Sequence, residues 1–133
     1  ANRLGCDLAI VDKRRPEAGK SEVMNIIGDV KGYDCILVDD IVDSAETLCN
    51  AGDAVKKAGA ERVVAYATHG VLTGNAMARI EASDLEQLVI TDSIDMSDEV
   101  RNSSRIRTIT IAPLLAEAMT RVNAETSVSS LFD

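Results

Sequence analysis

The stretch Cys35-Ile36-Leu37-Val38-Asp39-Asp40-Ile41-Val42-Asp43-Ser44-Ala45-Glu46-Thr47 constrains the fold more than any other part of the chain. Four apolar residues run into two adjacent acids, and small and hydroxyl residues then lead into a helical pattern. A short apolar run bounded by polar residues suits a buried parallel strand. In an open α/β sheet, ligands bind beyond the carboxyl ends of the strands, which is where Asp39 and Asp40 would stand. Successive strand residues point to opposite faces, so the two acids share a role only if the strand has already ended. Asp43 to Thr47 would form a turn whose backbone N–H groups open the next helix, a setting that holds a phosphate without a dedicated cation. Acids for sugar hydroxyls beside amides for a phosphate suit a phosphorylated sugar. The plainer alternative is a pair of solvated acids at a strand end, which is common in α/β folds.

The flanking sequence repeats the alternation of strand and helix. Ala1 to Leu4 reads as the end of a helix stopped by Gly5, which predicts that the chain is a piece of something longer. Cys6 to Val11 reads as a first strand, and Asp12 to Lys20 as an exposed, mobile basic loop broken by Pro16 and Gly19. Ser21 can cap a short helix carrying Val23, Met24, Ile26 and Ile27, closed by Gly28. Asp34 to Val38 is the second strand. Leu48, Ala51, Val55 and Ala58 recur at helical spacing, with Gly59 as the stop. Val63 to Thr68 is a third strand, ending at His69-Gly70, and Thr73 caps a helix with Ala76, Met77 and Ile80 on one face. Leu88 to Thr91 and Arg107 to Ile111 complete the strands. Pro113 opens a last helix whose buried stripe would be Leu114, Leu115, Ala118, Met119 and Val122. Asn123 to Ser130 reads as a mobile or partner-dependent tail. The expectation is one α/β domain, residues 1–133, with an open, mainly parallel sheet of about five strands flanked by helices.

Composition narrows the partners. The chain has 133 residues, 46% of them hydrophobic but only 2% aromatic, so its core must be aliphatic. A formal net charge of -8 argues against nucleic acid or an anionic membrane as the main partner. Cys6, Cys35 and Cys49 are odd in number and lack metal-ligand spacing, which suits reduced thiols in the cytoplasm. No apolar run approaches membrane-spanning length, and Arg3 and Asp7 interrupt any signal-peptide core.

An apolar run, two acids, two apolar residues and then Asp-Ser/Thr-x-x-Thr resembles the phosphoribosyl-binding signature of type I phosphoribosyltransferase folds. The wider context is more specific. Asp12-Lys13-Arg14-Arg15-Pro16, Val23 to Val30, Ala65-Tyr66-Ala67-Thr68-His69-Gly70 and the tail Ser127 to Phe132 fall in the order found in the ribose-phosphate pyrophosphokinase (PRPP synthetase) family. The resemblance covers essentially this whole chain but only the C-terminal part of that enzyme. It implies that the N-terminal domain and the first core strand, with its acidic-glycine pyrophosphate loop, are absent.

The resemblance also implies roles. Asp39 and Asp40 would hold ribose hydroxyls, and Asp43, Ser44, Ala45, Glu46 and Thr47 would wrap the 5-phosphate. Glu46 stands where the family usually has glycine, and a carboxylate pointing inward there would oppose a phosphate. Lys13 and Arg15 match a catalytic pair on a loop that closes over the phosphates, where cations stabilise developing charge. Composition alone would make that triplet a solvated basic turn. In the family the basic loop and its neighbour form a hairpin-like flap, against the helix that the residues themselves suggest. Ser127, Ser129 and Phe132 match positions of an inhibitory nucleotide and phosphate site between subunits, although composition alone reads them as frayed tail. His69, the only histidine, reads as a strand-end residue in the surroundings of the sugar-phosphate site.

The implied reaction transfers the β,γ-pyrophosphoryl group of ATP to the anomeric hydroxyl of ribose 5-phosphate, with Mg²⁺, giving PRPP and AMP. The implied partners are ribose 5-phosphate, ATP and inorganic phosphate, and the implied assembly is a homo-oligomer, a hexamer in the family. No metal ligand is expected within this chain, and the chain alone is expected to be inactive. Three other readings stand beside this one. A binding or regulatory module could retain the sugar-phosphate loop without transfer, and a PRPP-using phosphoribosyltransferase shares the loop but not the flap or tail. A signalling receiver domain fits least, because it needs an Asp after the third strand and a Lys after the fifth, where this chain has Thr68-His69 and Ala112-Pro113.

Overall fold

The computed structural model describes residues 1–14 and 23–132. Its strands are β1 (Ile10–Arg14), β2 (Val23–Ile27), β3 (Asp34–Val42), β4 (Arg62–Gly70), β5 (Gln87–Thr91) and β6 (Ile106–Ile109). Its helices are α1 (Glu46–Lys57), α2 (Ala76–Ala82), α3 (Asp98–Asn102) and α4 (Ala112–Asn123), with single 3₁₀ turns at Asn2–Leu4 and Ser129–Leu131. Strands β3 to β6 form one parallel sheet in sequence order, and β1 pairs with β2 in a separate antiparallel hairpin. Parallel neighbours need crossovers, and α1, α2 and α3 fill the three intervals. The fold is the expected α/β class.

Strand β4 shows how an aromatic-poor sequence packs. Val63, Ala65 and Ala67 alternate inward and are buried, while Arg62, Tyr66 and Thr68 are exposed. The alanines on that face let α1 lie close to the sheet, through its own buried Leu48, Ala51, Gly52 and Val55. In β5, Leu88, Val89 and Ile90 are consecutive and all buried, as a central strand covered on both faces requires. Ile80 and Leu85 complete this core. The face opposite α1 is open at the sheet edge, where Val38 is 78% exposed beside the exposed Tyr66.

Three expectations need correction. The helix expected from Ser21 is instead strand β2, paired with β1 from Ile10↔Ile27 to Arg14↔Val23. Met24 and Ile26 are half-buried while Asn25 and Ile27 are exposed, a period of two rather than 3.6. The β-branched Val23, Ile26 and Ile27 favour that pleat. The first strand begins at Ile10 rather than Cys6, and it belongs to the hairpin rather than the parallel sheet. The apolar stripe on α4 is present as a pattern but is not buried. Leu114, Leu115, Met119 and Val122 are exposed, because no described element packs against them.

Candidate functional site

Strand β3 does not stop at the acids. It pairs with β4 through Asp39↔Ala67, Ile41↔His69 and Val42↔Gly70, so Asp39 and Asp40 lie within a continuing strand and point to opposite faces. Asp39 shares the face of Ala67 and α1, while Asp40 lies on the face of Val38. The Asp39 carboxylate Oδ1 accepts the Asp40 backbone N–H at 2.9 Å. Beside Asp39 a cavity of about 340 Å³ opens between the residues leading into β1, the edge of β3 and the first turns of α1. Asp39 and Thr47 supply its polar side chains, and Leu8, Val11, Leu37 and Leu48 are among its apolar walls.

The turn after β3 is held from two sides. The Asp43 carboxylate Oδ1 accepts the Thr73 hydroxyl at 2.5 Å, and the Asp43 carbonyl accepts the Thr73 N–H at 3.1 Å. The Val42 carbonyl accepts from the N–H groups of Val71 at 2.9 Å and Leu72 at 3.2 Å. From α2, the Arg79 guanidinium donates to the Ser44 carbonyl at 2.9 Å. Ala45 then adopts the left-handed region, φ 59° and ψ 3°, with its methyl buried. Its carbonyl accepts the Cys49 N–H at 2.9 Å, which starts α1. Ala45 supplies no capping side chain, so the first turn of α1 directs its N–H groups and dipole at the rim uncapped by that residue. Glu46 is exposed at this first turn.

Two further groups brace the rim. His69 Nδ1 lies 2.8 Å from the Ser93 hydroxyl. Asp92, at the end of β5, accepts the Ile111 N–H at 2.9 Å and so ties down the start of α4. The Thr110 hydroxyl and the Ile111 N–H hold its carboxyl below the usual carboxylate range. Burial pushes the Cys35 and Cys49 thiols up, and all three cysteines are free.

The structure thus brings Asp39, Asp43, Ser44, Ala45, Glu46 and Thr47 to one corner and turns Asp40 to the other face. Lys13 lies in β1 opposite Met24, and its side chain, Arg15 and the loop to Lys20 lie outside the described residues. Ser127 and Ser129 belong to a tail folded back on α4. Arg121 Nη1 donates to the Ser127 carbonyl at 3.2 Å and to the Ser130 hydroxyl, and the Ser129 N–H donates to the Ser127 hydroxyl at 3.2 Å. Phe132 is exposed. Among the described residues, no three His, Cys, Asp or Glu side chains cluster in a way that could hold a metal ion. Sequence reasoning missed Arg79, Ser93 and the Thr73–Asp43 bond. Only Thr73 carried a signal, and that signal suggested a helix cap.

Comparison with known proteins places this geometry. A family model described as the phosphoribosyl synthetase-associated domain matches residues 9–133. The chain belongs to that family. It is 59% identical over all 133 residues to the ribose-phosphate pyrophosphokinase of Granulibacter bethesdensis, covering 43% of that protein. It is 61% identical over 133 residues to the one from Bradyrhizobium diazoefficiens, covering 42% of it. The crystal structure of phosphoribosylpyrophosphate synthetase from Mycobacterium smegmatis superposes on 77% of this chain and 34% of its own, with a TM-score of 0.73 and 31% identity. This family member therefore spans less than half the length of those relatives, and it is similar to their C-terminal region.

Proposed function

We propose that this chain is the ribose 5-phosphate-binding part of a ribose-phosphate pyrophosphokinase. The observation that carries the reading is the braced Asp43–Ala45 turn, which delivers the start of α1 beside the Asp39 carboxylate in a chain of this family. The α1 N-terminus takes the phosphate by N–H donation and dipole. Asp39, an acceptor when ionised, takes sugar hydroxyls. Asp40 faces away from α1 and reaches the sugar only from above the rim. Glu46 is exposed, so its side chain has solvent available and need not oppose the phosphate.

In the assembled enzyme, Lys13 and Arg15 stabilise charge on the pyrophosphoryl group as it leaves AMP. Mg²⁺ arrives with ATP. The work of this chain in that reaction is to bind and orient the sugar phosphate. Ser127, Ser129 and Phe132 belong to an effector site for inorganic phosphate and nucleotide that needs neighbouring subunits of a cytoplasmic homo-oligomer. Alone, the 133-residue chain does not make PRPP, since catalysis by positioning collapses when one substrate's holder is missing.

Two measurements test this reading. Calorimetry should show ribose 5-phosphate binding to the chain, weakened about tenfold or more by Asp39→Ala. An AMP-release assay with ATP, Mg²⁺, phosphate and ribose 5-phosphate should show no turnover beside a full-length relative. Turnover near that control would place the ATP site within these residues and overturn the division of labour.

A further inference from the structure

Four hydrogen bonds at the carboxyl end of the sheet surround the only histidine in the chain. The Thr91 hydroxyl donates to the Thr68 carbonyl at 2.7 Å and accepts the Ser93 N–H at 3.2 Å. The Ser93 hydroxyl donates to the second lone pair of the same carbonyl at 3.1 Å. With its proton given to that carbonyl, the Ser93 oxygen is an acceptor for His69 Nδ1, 2.8 Å away. In that arrangement Nδ1 is the donor, and Nε2 is the nitrogen that presents a lone pair.

Nε2 is the outer nitrogen of the ring, and it hydrogen-bonds to nothing among the described residues. Its location gives that lone pair a use. His69 pairs with Ile41 and Ala67 pairs with Asp39, so His69 and Asp39 share the α1 face of adjacent strands. The Asp39 carboxylate and His69 Nε2 are thus groups of one face of adjacent strands, two residues apart in register. Asp39 lines a cavity together with Thr47 of the first turn of α1. Acceptors alone suit a ligand that presents hydroxyl protons, while the phosphate is taken by the donors of α1.

Building on the sugar-phosphate reading above, we infer that His69 is a further ligand-binding residue, whose Nε2 accepts a hydrogen bond from a hydroxyl of the bound sugar phosphate. Ser93 is its positioning residue. Without Ser93 the ring loses the acceptor that holds the Nδ1–H tautomer and fixes its orientation. This assigns a task to a histidine that a strand end alone would leave idle. It also predicts that the site distinguishes a sugar phosphate from bare phosphate through the α1 face of the rim.

The test is calorimetry on the 133-residue chain with ribose 5-phosphate and, separately, inorganic phosphate, combined with ¹⁵N NMR of the imidazole. Wild type should show an Nδ1–H ring, and Ser93→Ala should shift the tautomer balance. His69→Phe should weaken ribose 5-phosphate about five- to tenfold, the worth of one neutral hydrogen bond, and leave inorganic phosphate unchanged. His69→Gln, which returns an amide oxygen near the Nε2 position, should recover most of the loss. Equal losses for both ligands would make His69 merely structural and overturn the proposal. So would full ribose 5-phosphate affinity in His69→Phe, or an Nε2–H tautomer in wild type. Failure of the wild-type chain to bind ribose 5-phosphate at all would overturn the sugar-phosphate reading itself, and this proposal with it.

Discussion

Gly70→Ala probes the joint between the core and the site with one methyl group. Gly70 ends β4, pairs with Val42 and carries no positive φ, so alanine suits its backbone. The added Cβ would stand 2.6 Å from Ile90 Cδ1, 3.2 Å from its Cγ2 and 3.4 Å from its Cβ. Ile90 is 1% exposed and sits in the central strand, so it has little room to give. Overpacking of this kind costs roughly 1–3 kcal/mol. Replacing glycine within a strand returns roughly 0.5–1 kcal/mol of backbone entropy. The net expectation is a destabilisation of about 1–2 kcal/mol, read as a drop of roughly 3–8 °C in Tm for a domain of this size. Ribose 5-phosphate affinity should fall as well, because Val42 opposite Gly70 holds Val71 and Leu72, which position the Asp43 turn. The decisive assay is a double-mutant cycle. Ile90→Val removes the Cδ1 atom that meets the new methyl, at a cost alone of roughly 0.5–1.5 kcal/mol. Gly70→Ala/Ile90→Val should then be no less stable than Gly70→Ala. Additive losses would show that the contact with Ile90 is not the cause.

Other outcomes follow from single interactions. Arg79→Met deletes the half-buried guanidinium that holds the Ser44 carbonyl, and it should cost roughly 1–2 kcal/mol in denaturant melts while weakening ribose 5-phosphate binding. A native thiol titration with Ellman's reagent should modify exposed Cys6 rapidly, half-buried Cys35 more slowly and buried Cys49 only on unfolding. Asp92 has a depressed folded pKa, so its contribution is complete above the ordinary carboxylate range and disappears as pH falls through the folded value. Tm measured against pH should therefore fall on the acid side below about pH 4, and less steeply in Asp92→Asn.

Most of the parallel sheet was legible because each strand carries its own signal. Leu88-Val89-Ile90 and Val63 to Ala67 are short apolar runs between polar boundaries, and glycine or proline marks several neighbouring helix ends. What failed was the reading of segments whose structure depends on partners far along the chain. Val23 to Ile27 is short enough for helix and strand patterns to fit equally, and only its pairing with Ile10 to Arg14 decides. The family resemblance, with its hairpin-like flap, was the better guide there. The stripe of α4 shows the opposite case. Its periodicity correctly gave a helix, but periodicity states which face is apolar and not whether that face is covered. Leu115, Met119 and Val122 are covered by nothing among the described residues.

The candidate site was legible where chemistry is concentrated in sequence and illegible where it is assembled in space. Asp39 to Thr47 announces itself within one turn of chain. The groups that brace it come from 24 to 35 residues away: Ser93 on His69, Thr73 on Asp43 and Arg79 on Ser44. None of these side chains is unusual in its own neighbourhood, so no local pattern could single it out. Their arrangement also puts the two adjacent acids on different faces. Because pairing with β4 continues to Val42, Asp39 joins His69 and the α1 N-terminus on one face, and Asp40 lies across the sheet beside Val38 and Tyr66. An Asp39→Asn change that keeps shape but removes charge should therefore impair ribose 5-phosphate binding more than Asp40→Asn, because only Asp39 shares a face with the other groups of the site. Calorimetry on the two variants checks this directly. Equal losses would mean that the sugar sits astride the strand, with both carboxylates above the rim, and that the facing of each side chain does not divide their roles.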